Sequence, residues 1–275
     1  MGKEETTMIS LISIPRPWIG AVMALVMLGL GACEAKKAEY KERSVETLYN
    51  EAMDALLEGD FNISTEKFDE VERQHPYSRW ATKAQLMAAY SYYQQNRYDD
   101  AIVALERFIQ LHPTNSDVAY AYYLKGLSYY EQISDVARDQ EMTELALSTL
   151  DELIKRFPTS KYARDAKLKL DLTYDHLAGK EMEIGRYYHN QGHYLAAINR
   201  FKAVIDNYQT TTHVPEALLR LTESYLALGV PEEARKTAAI LGYNFPGSEW
   251  YIDAYGIVEN KQMRPEAKEP WYKLW

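Results

Sequence analysis

The chain has 275 residues, 26% of them charged and 47% hydrophobic, an ordinary globular composition that argues against a collagen-like, low-complexity or polytopic membrane protein. The net charge of −9 argues against nucleic-acid binding, and the single cysteine excludes an internal disulfide or a Cys-cluster metal site. The chain has 23 tyrosines and only 6 phenylalanines. This excess suggests a repeating pattern with positions that favour an aromatic ring carrying a polar hydroxyl.

The single cysteine follows a short hydrophobic segment. Residues 18–30 read WIGAVMALVMLGL, which is too short for a membrane-spanning helix and is typical of the apolar core of a signal peptide. The order Leu30-Gly31-Ala32-Cys33 resembles a bacterial lipobox, in which the thiol receives a lipid and the chain is cut before the cysteine. We therefore expect a signal peptide over 1–32 and a lipid on Cys33. The alternatives are an uncleaved anchor or a buried free thiol.

The residues after Cys33 indicate in which membrane a lipid-anchored protein would reside. The lipobox resemblance implies that an aspartate directly after the cysteine retains a lipoprotein in the inner membrane, and Glu34 lacks that mark in its usual form. The expected location is the periplasmic face of the outer membrane, where acyl chains would hold the protein permanently. Residues 33–44 are mostly polar and charged, as expected of a tether.

From residue 45 onward the apolar residues recur with helical spacing, which places the chain in the all-α class. One kind of junction recurs in this part of the chain. Proline cannot continue a helix and serine caps the next one, so each copy ends one helix and begins another. The copies are HPYS at 75–78, HPTNS at 112–116, FPTS at 157–160 and FPGS at 245–248.

The spacing of these prolines fits the tetratricopeptide repeat, whose unit of about 34 residues needs small and large residues at fixed positions. The third unit has an insertion near residues 131–144, and the fourth has Gln209 in place of proline, where residues 210–212 can still cap. The prediction is an α-solenoid of about five tetratricopeptide helix pairs with a C-terminal capping helix that begins at Ser248.

The pattern also predicts the domain organisation. Residues 45–178 form repeats 1–3, and residues 179–260 form repeats 4–5 plus the capping helix. Few helix breakers occur over 161–190, so one long helix is expected to bridge the two parts. Residues 261–275 lose the period and form a tail, either disordered or docked through Trp271 and Trp275.

Three segments in a fixed order make a more specific resemblance. They are residues 89–113 (AYSYYQQNRYDDAIVALERFIQLHP), 118–130 (VAYAYYLKGLSYY) and 181–209 (EMEIGRYYHNQGHYLAAINRFKAVIDNYQ). Behind a lipobox, this order closely resembles the outer-membrane protein assembly lipoproteins, subunits of the β-barrel assembly machinery. The likeness extends from Cys33 to about Val258.

The resemblance implies a non-enzymatic scaffold with several partners. Such proteins dock through their C-terminal repeats on the last POTRA domain of the barrel subunit BamA, beside other assembly-complex lipoproteins. Their N-terminal repeats are expected to receive unfolded outer-membrane proteins. Asn199 and Arg200 match the family's NR motif, in which the arginine pairs with an acidic residue of the POTRA domain. The alternative for Arg200 is a solvated surface charge.

Family geometry also selects candidate peptide-binding residues. Positions 2, 5, 9 and 12 of each first helix face the concave groove, and tyrosine suits a groove that binds varied extended chains. The alternative is aromatic helix packing with hydroxyls that reach solvent. The residues selected are Tyr49, Met53, Tyr90, Tyr93, Tyr120, Tyr123 and Tyr130.

No motif supports catalysis. There is no G-x-S-x-G, P-loop or G-x-G-x-x-G, and His189 and His193 lack a third metal ligand, so we expect no catalytic residue, metal or cofactor apart from the lipid on Cys33. The competing function is an envelope scaffold lipoprotein for the peptidoglycan or division machinery.

Overall fold

The computed structural model describes residues 42–260. This part holds eleven α-helices and no strand, all in the unit of the chain that begins at Arg43. The expected signal peptide, Cys33, most of the tether and the tail over 261–275 lie outside the described residues. The helices are α1 Val45–Glu58, α2 Phe61–Gln74, α3 Arg79–Gln94, α4 Tyr98–Leu111, α5 Val118–Tyr130, α6 Glu141–Arg156, α7 Ala163–Asn190, α8 Tyr194–Asn207, α9 Val214–Ala227, α10 Pro231–Asn244 and α11 Glu249–Val258.

The helices form five consecutive pairs, and α11 packs against α9 and α10 at the end of the row. The predicted all-α solenoid with a capping helix is confirmed. Four of the pairs have a tight internal turn with one residue in the left-handed conformation, which glycine and asparagine tolerate best. These residues are Gly59, Asn96, Gly192 and Gly229, with φ of 85°, 59°, 76° and 74°.

The junctions between pairs end and begin helices as the prolines predict, but the caps differ from one to the next. Ser78 and Ser248 accept hydrogen bonds from the backbone N–H groups three residues on, at 3.0 and 3.1 Å. At the second junction no side chain caps α5: Oδ1 of Asn115 accepts from the N–H of Asp117 at 2.8 Å, which closes a turn just before the helix. Ser116 lies two residues before the helix, whereas Ser78 and Ser248 directly precede theirs, and it forms no such bond.

The junction without a proline also differs from the expectation that residues 210–212 cap the next helix. The hydroxyl of Thr211 donates to the carbonyl of Tyr208 at 2.8 Å. Both the N–H and the hydroxyl of Thr212 donate to Oδ1 of Asp175 in α7, at 2.9 and 2.8 Å. These threonines therefore tie the turn to α7 and do not cap α9.

The insertion in the third pair is the loop over 131–140, between α5 and α6. Gln140 is 4% exposed, and its Nε2 donates to the carbonyls of Asp135, Val136 and Arg138 at 3.1–3.4 Å. Its Oε1 accepts from the hydroxyl of Thr143 at 2.9 Å. One buried amide therefore provides hydrogen bonds to three backbone carbonyls of the loop.

The long helix predicted over 161–190 is α7, with 28 residues against 13 to 16 in the other first helices. Ala166 and Leu170 in its first half pack against α5 and α6, and Met182 in its second half packs with α8 and α9. The division into repeats 1–3 and repeats 4–5 stays a prediction. No helix in the described range 42–260 is long and apolar enough to cross a membrane.

Candidate functional site

The first helices of the pairs line one side of the solenoid. Each first helix contacts the first helix of the next pair as well as its own partner, whereas the second helices within 42–260 do not contact each other. The first helices are therefore closer together and lie on the concave side. We call the side formed by α1, α3 and α5 the inner face.

Tyr49 and Met53 lie at the α1 end of the inner face. The ring of Tyr49 contacts Phe68 edge-on at 5.5 Å between centroids and is tilted against Trp80 at 4.7 Å. Both residues are half-buried against the hydrophobic cluster of the first pair, and burial raises the pKa of Tyr49. They therefore combine a packed side with an accessible one.

Four of the selected tyrosines gather in the middle of the inner face. Tyr90 and Tyr93 of α3, and Tyr120 and Tyr123 of α5, are half-buried against the cluster of the second pair. Tyr162, in the turn before α7, extends the group, with its ring centroid 5.1 Å from Tyr120 and 5.2 Å from Tyr123. Sequence reasoning missed Tyr162 because it precedes a helix and occupies no repeat position.

Only some of the hydroxyl groups of the selected tyrosines form hydrogen bonds. Tyr123 Oη donates to Oδ2 of Asp165 at 2.5 Å, and Tyr93 Oη lies 3.5 Å from Oε1 of Glu131. Those of Tyr49, Tyr90 and Tyr120 form no hydrogen bond with any residue of the described range. They remain available as donors and acceptors for another molecule.

Burial raises the pKa of several of these phenols. Desolvation, with the nearby Glu131 carboxylate, raises the pKa of Tyr93 to about 12. Desolvation also raises the pKa of Tyr120, and it raises that of Tyr123 together with the hydrogen bond to Asp165. These phenols are neutral at physiological pH even at the ordinary tyrosine pKa of about 10, and the raised pKa values keep them neutral into the alkaline range.

An open pocket of about 240 Å³ lies between Tyr49 and Tyr120. Leu86, Met87 and Phe108 line its apolar part, and polar and charged residues complete the lining. These polar lining residues are Thr82, Lys83, Asn115 and Asp117. The pocket joins the tyrosines of α1 to those of α5.

Tyr130 is separate from the others. It packs against the cluster of Ile102, Tyr129 and Ala146, and Nζ of Lys169 lies 4.9 Å from its ring centroid. The structure therefore brings together six of the seven selected residues in two adjoining clusters and places the seventh in a third. Their peptide-binding role stays a prediction.

The predicted partner-binding pair lies on α8. Asn199 is exposed, and Arg200 Nη1 donates to both carboxylate oxygens of Glu181 in α7, at 3.3 and 3.0 Å. The Arg200 side chain remains 43% exposed. Arg200 is thus ion-paired within the chain and still partly exposed, and its role in partner binding stays a prediction.

Comparison with known proteins decides the family. The YfiO model, described as "Outer membrane lipoprotein", matches residues 41–240. The chain belongs to this family.

Curated members of the family are similar over most of their length. The chain is 49% identical over 259 residues to the outer membrane protein assembly factor BamD of Caulobacter vibrioides, covering 93% of this chain and 85% of that protein. It is 49% identical over 242 residues to BamD of Rickettsia prowazekii, covering 87% and 96%. A solved thermophilic TPR protein of Thermus thermophilus is 18% identical with a TM-score of 0.39, covering 79% of this chain and 98% of that one.

In this member of the outer membrane lipoprotein family, the first helices of the last two pairs share a buried apolar cluster and carry several ion pairs beside it. Arg186 Nη1 donates to both oxygens of Glu216 at 3.2 and 3.1 Å, and Arg220 pairs with Glu216 and Glu223. Arg186 therefore links α7 to α9, while the pairs of Arg220 lie within α9.

The two histidines considered as metal ligands have other surroundings. His189 Nδ1 lies 3.0 Å from the hydroxyl of Ser224, and His193 is exposed at the start of α8. Over 42–260 no group of three or more His, Cys, Asp or Glu side chains could hold a metal ion.

Proposed function

We propose that this protein is a lipid-anchored, non-enzymatic scaffold for the assembly of outer-membrane β-barrel proteins. Family membership supports a role in outer-membrane protein assembly, because the curated relatives are named as assembly factors of such proteins. The family description as outer membrane lipoproteins supports a lipid on Cys33 and a position at the periplasmic face of the outer membrane. Other lipoproteins of the assembly complex are partners in the same proposal.

The observation that carries the client-binding role is the group of half-buried tyrosines with unused hydroxyls. An unfolded chain presents apolar side chains together with unpaired backbone N–H and C=O groups. The rings of Tyr49, Tyr90 and Tyr120 can contact the apolar side chains of the client, and their hydroxyls can hydrogen-bond to its backbone groups. Because their rings are already packed, little rotamer entropy is lost when a client binds.

The docking role rests on Asn199 and Arg200. The Glu181 carboxylate holds the guanidinium through Nη1 and leaves Nε and Nη2 free to donate to a partner carboxylate. We propose that this preoriented arginine meets an acidic residue in the POTRA domain of a BamA-type barrel subunit. An arginine that becomes desolvated with its carboxylate is typical of the residues that dominate interface energy.

Crosslinking of unfolded barrel peptides tests the client-binding role. Replacing Tyr90 and Tyr123 by alanine should reduce crosslinking several-fold while helicity stays unchanged. The matched control is Tyr187→Ala, which removes a tyrosine that is 62% exposed on α7, outside the selected set. If a folded Tyr90→Ala, Tyr123→Ala variant crosslinks as well as the parent, the tyrosines serve helix packing alone.

A charge exchange tests the docking role. Arg200→Glu should weaken capture of the BamA-type subunit by at least about tenfold, the effect typical of a central interface arginine. In the double variant Arg200→Glu, Glu181→Arg the internal ion pair is restored with its ends reversed. Capture should stay weak in the double variant if residue 200 itself contacts the partner. Recovery of capture would instead show that the pair only stabilises the contact between α7 and α8.

A further inference from the structure

The first half of α7 has one side that no helix of residues 42–260 covers. Its opposite side packs against α5 and α6 through Ala166 and Leu170. The second helix of the pair, α8, packs on the second half, where Gly185 lies against Phe201, and Tyr208 directly after α8 reaches back to Tyr174 at 6.2 Å between ring centroids. Because α7 is about twice as long as the other first helices, its first turns extend beyond the reach of α8.

The uncovered side carries mainly basic residues and leucines. The spacing of three and four residues places its members on one side of the helix and the turn before it. Farther along, Thr212 covers Asp175, and Val136 and His213 lie against Gly179. We call this side the basic face, and its exposed residues are Lys161, Arg164, Lys167, Leu168, Asp171 and Leu172.

The cations of the basic face are not used within the fold. Most arginines and lysines of the described range pair with carboxylates, but Lys161, Arg164 and Lys167 form no ion pair with any residue there. Lys161 only lies over the ring of its neighbour Tyr162, at 5.0 Å. Positive charge near a helix N-terminus also opposes the helix dipole, so these cations do not stabilise α7.

The apolar part of the basic face is small and accessible. Leu168 and Leu172 are 59% and 57% exposed, one turn apart and flanked by the cations. Exposed leucines bordered by lysine and arginine are typical of a helix side that lies on a membrane surface.

We propose that the basic face binds an anionic phospholipid bilayer and holds the solenoid against the membrane surface. The two leucines would enter the interface between headgroups and acyl chains, while the cations pair with lipid phosphates. A protein partner is less well matched, because the face has no aromatic residue and lysine is depleted in protein interfaces. This contact is independent of docking on a barrel subunit, so either can fail without the other.

Fluorescence on lipid vesicles tests the proposal with the full chain. Cys33→Ser removes the lipid attachment residue and leaves the chain free of cysteine. An environment-sensitive dye on Asp171→Cys then reports from the centre of the basic face. We expect a blue shift with vesicles of phosphatidylethanolamine and phosphatidylglycerol, and none with phosphatidylcholine vesicles. The same dye on Asp206→Cys, an exposed position of α8, should show no shift with either.

Charge reversal measures the contribution of the cations. Each basic residue near an anionic bilayer raises binding about fivefold, so replacing Lys161, Arg164 and Lys167 by glutamate should weaken vesicle binding at least about a hundredfold. Glutamate is favourable at a helix N-terminus, so the variant is expected to fold. The control carries the same charge change at three other exposed cations, Lys202, Arg235 and Lys236.

Two results would overturn the proposal. One is the absence of a blue shift at residue 171 with the anionic vesicles. The other is equal vesicle binding by the charge-reversed variant and its control. A blue shift that occurs only when the BamA-type subunit is added, and not with lipid, would assign the basic face to a protein partner instead.

Discussion

At Gly185 the two helices of the fourth pair come so close that an added methyl group would lie 2.5 Å from Cε1 of Phe201. The same contact occurs in the third pair, where a methyl group at Gly126 would lie 2.6 Å from Cδ2 of Leu150. Both large side chains are fully buried. The repeat therefore works through complementary volumes, a missing side chain on the first helix and a large one on the second.

Gly185→Ala tests this complementarity. The new methyl group would overpack against the fully buried ring of Phe201, at a cost that exceeds the gain of about 1 kcal/mol in helix propensity. We expect a net loss of about 1 to 2 kcal/mol in the free energy of unfolding, measured by urea denaturation followed by circular dichroism.

The control for Gly185→Ala lies in the same helix. At Gly179 a methyl group would lie 3.3 Å from Nε2 of His213 and 3.5 Å from Cγ1 of Val136, ordinary or slightly tight contacts at the ends of side chains. Gly179→Ala should therefore leave stability unchanged or raise it by up to about 1 kcal/mol. Equal destabilisation at both positions would mean that the spacing of α7 and α8 does not depend on the glycine.

Residue-level detail also marks the limit of prediction from the sequence. Proline and serine predict that a helix ends and another begins, because both act locally on the backbone. The turn closed by Asn115 and the ion pair of Arg200 with Glu181 depend on chain geometry that the local pattern does not contain. The position of Arg200 on the second helix of a pair was predictable, and its partner 19 residues away was not.

At the scale of helices, α3 and α5 show why so many tyrosines are tolerated. The repeat fixes which helix side points inward, so the inner tyrosines could be selected from sequence position. The sequence did not predict that these tyrosines would be partly buried, or that Tyr162 would contact the rings of Tyr120 and Tyr123. Both features depend on how neighbouring pairs stack. Tyrosine serves here because its ring packs while its hydroxyl stays near solvent.

The inner tyrosines make the fold sensitive to alkali. The pKa of Tyr93 is raised from 10.0 to about 12, so the folded state retains the phenol proton longer than the unfolded state. Its contribution to stability is complete below pH 10 and is lost as the pH rises through 12. We expect alkaline unfolding to accompany the titration, followed by tyrosinate absorbance and circular dichroism.

Tyr93→Phe keeps the ring contact with Tyr98 and removes the titrating group, so the midpoint of alkaline unfolding should move to higher pH. Tyr77→Phe is the control, since Tyr77 is fully exposed and should leave the midpoint unchanged. An unchanged midpoint in Tyr93→Phe would show that alkaline unfolding begins elsewhere.

At the scale of the whole described chain, α7 is the element shared by both ends of the solenoid. Its first half completes the packing of α5 and α6, and its second half belongs to the fourth pair. In a solenoid each pair contacts only its neighbours. A helix that belongs to two neighbouring pairs can therefore couple the unfolding of the two ends. Here that element is a single helix of 28 residues.

Asp171→Pro tests whether α7 couples the two ends. Residue 171 is exposed, so the substitution removes no buried side chain, but proline inside a helix breaks a backbone hydrogen bond and costs about 3 kcal/mol. In the parent chain we expect α1–α6 and α8–α11 to open together in hydrogen exchange at increasing urea. In the proline variant the two groups should open at separate urea concentrations, whereas Asp171→Ala should behave as the parent. If the proline variant still opens as one unit, contacts between neighbouring pairs, rather than the continuous helix, couple the ends.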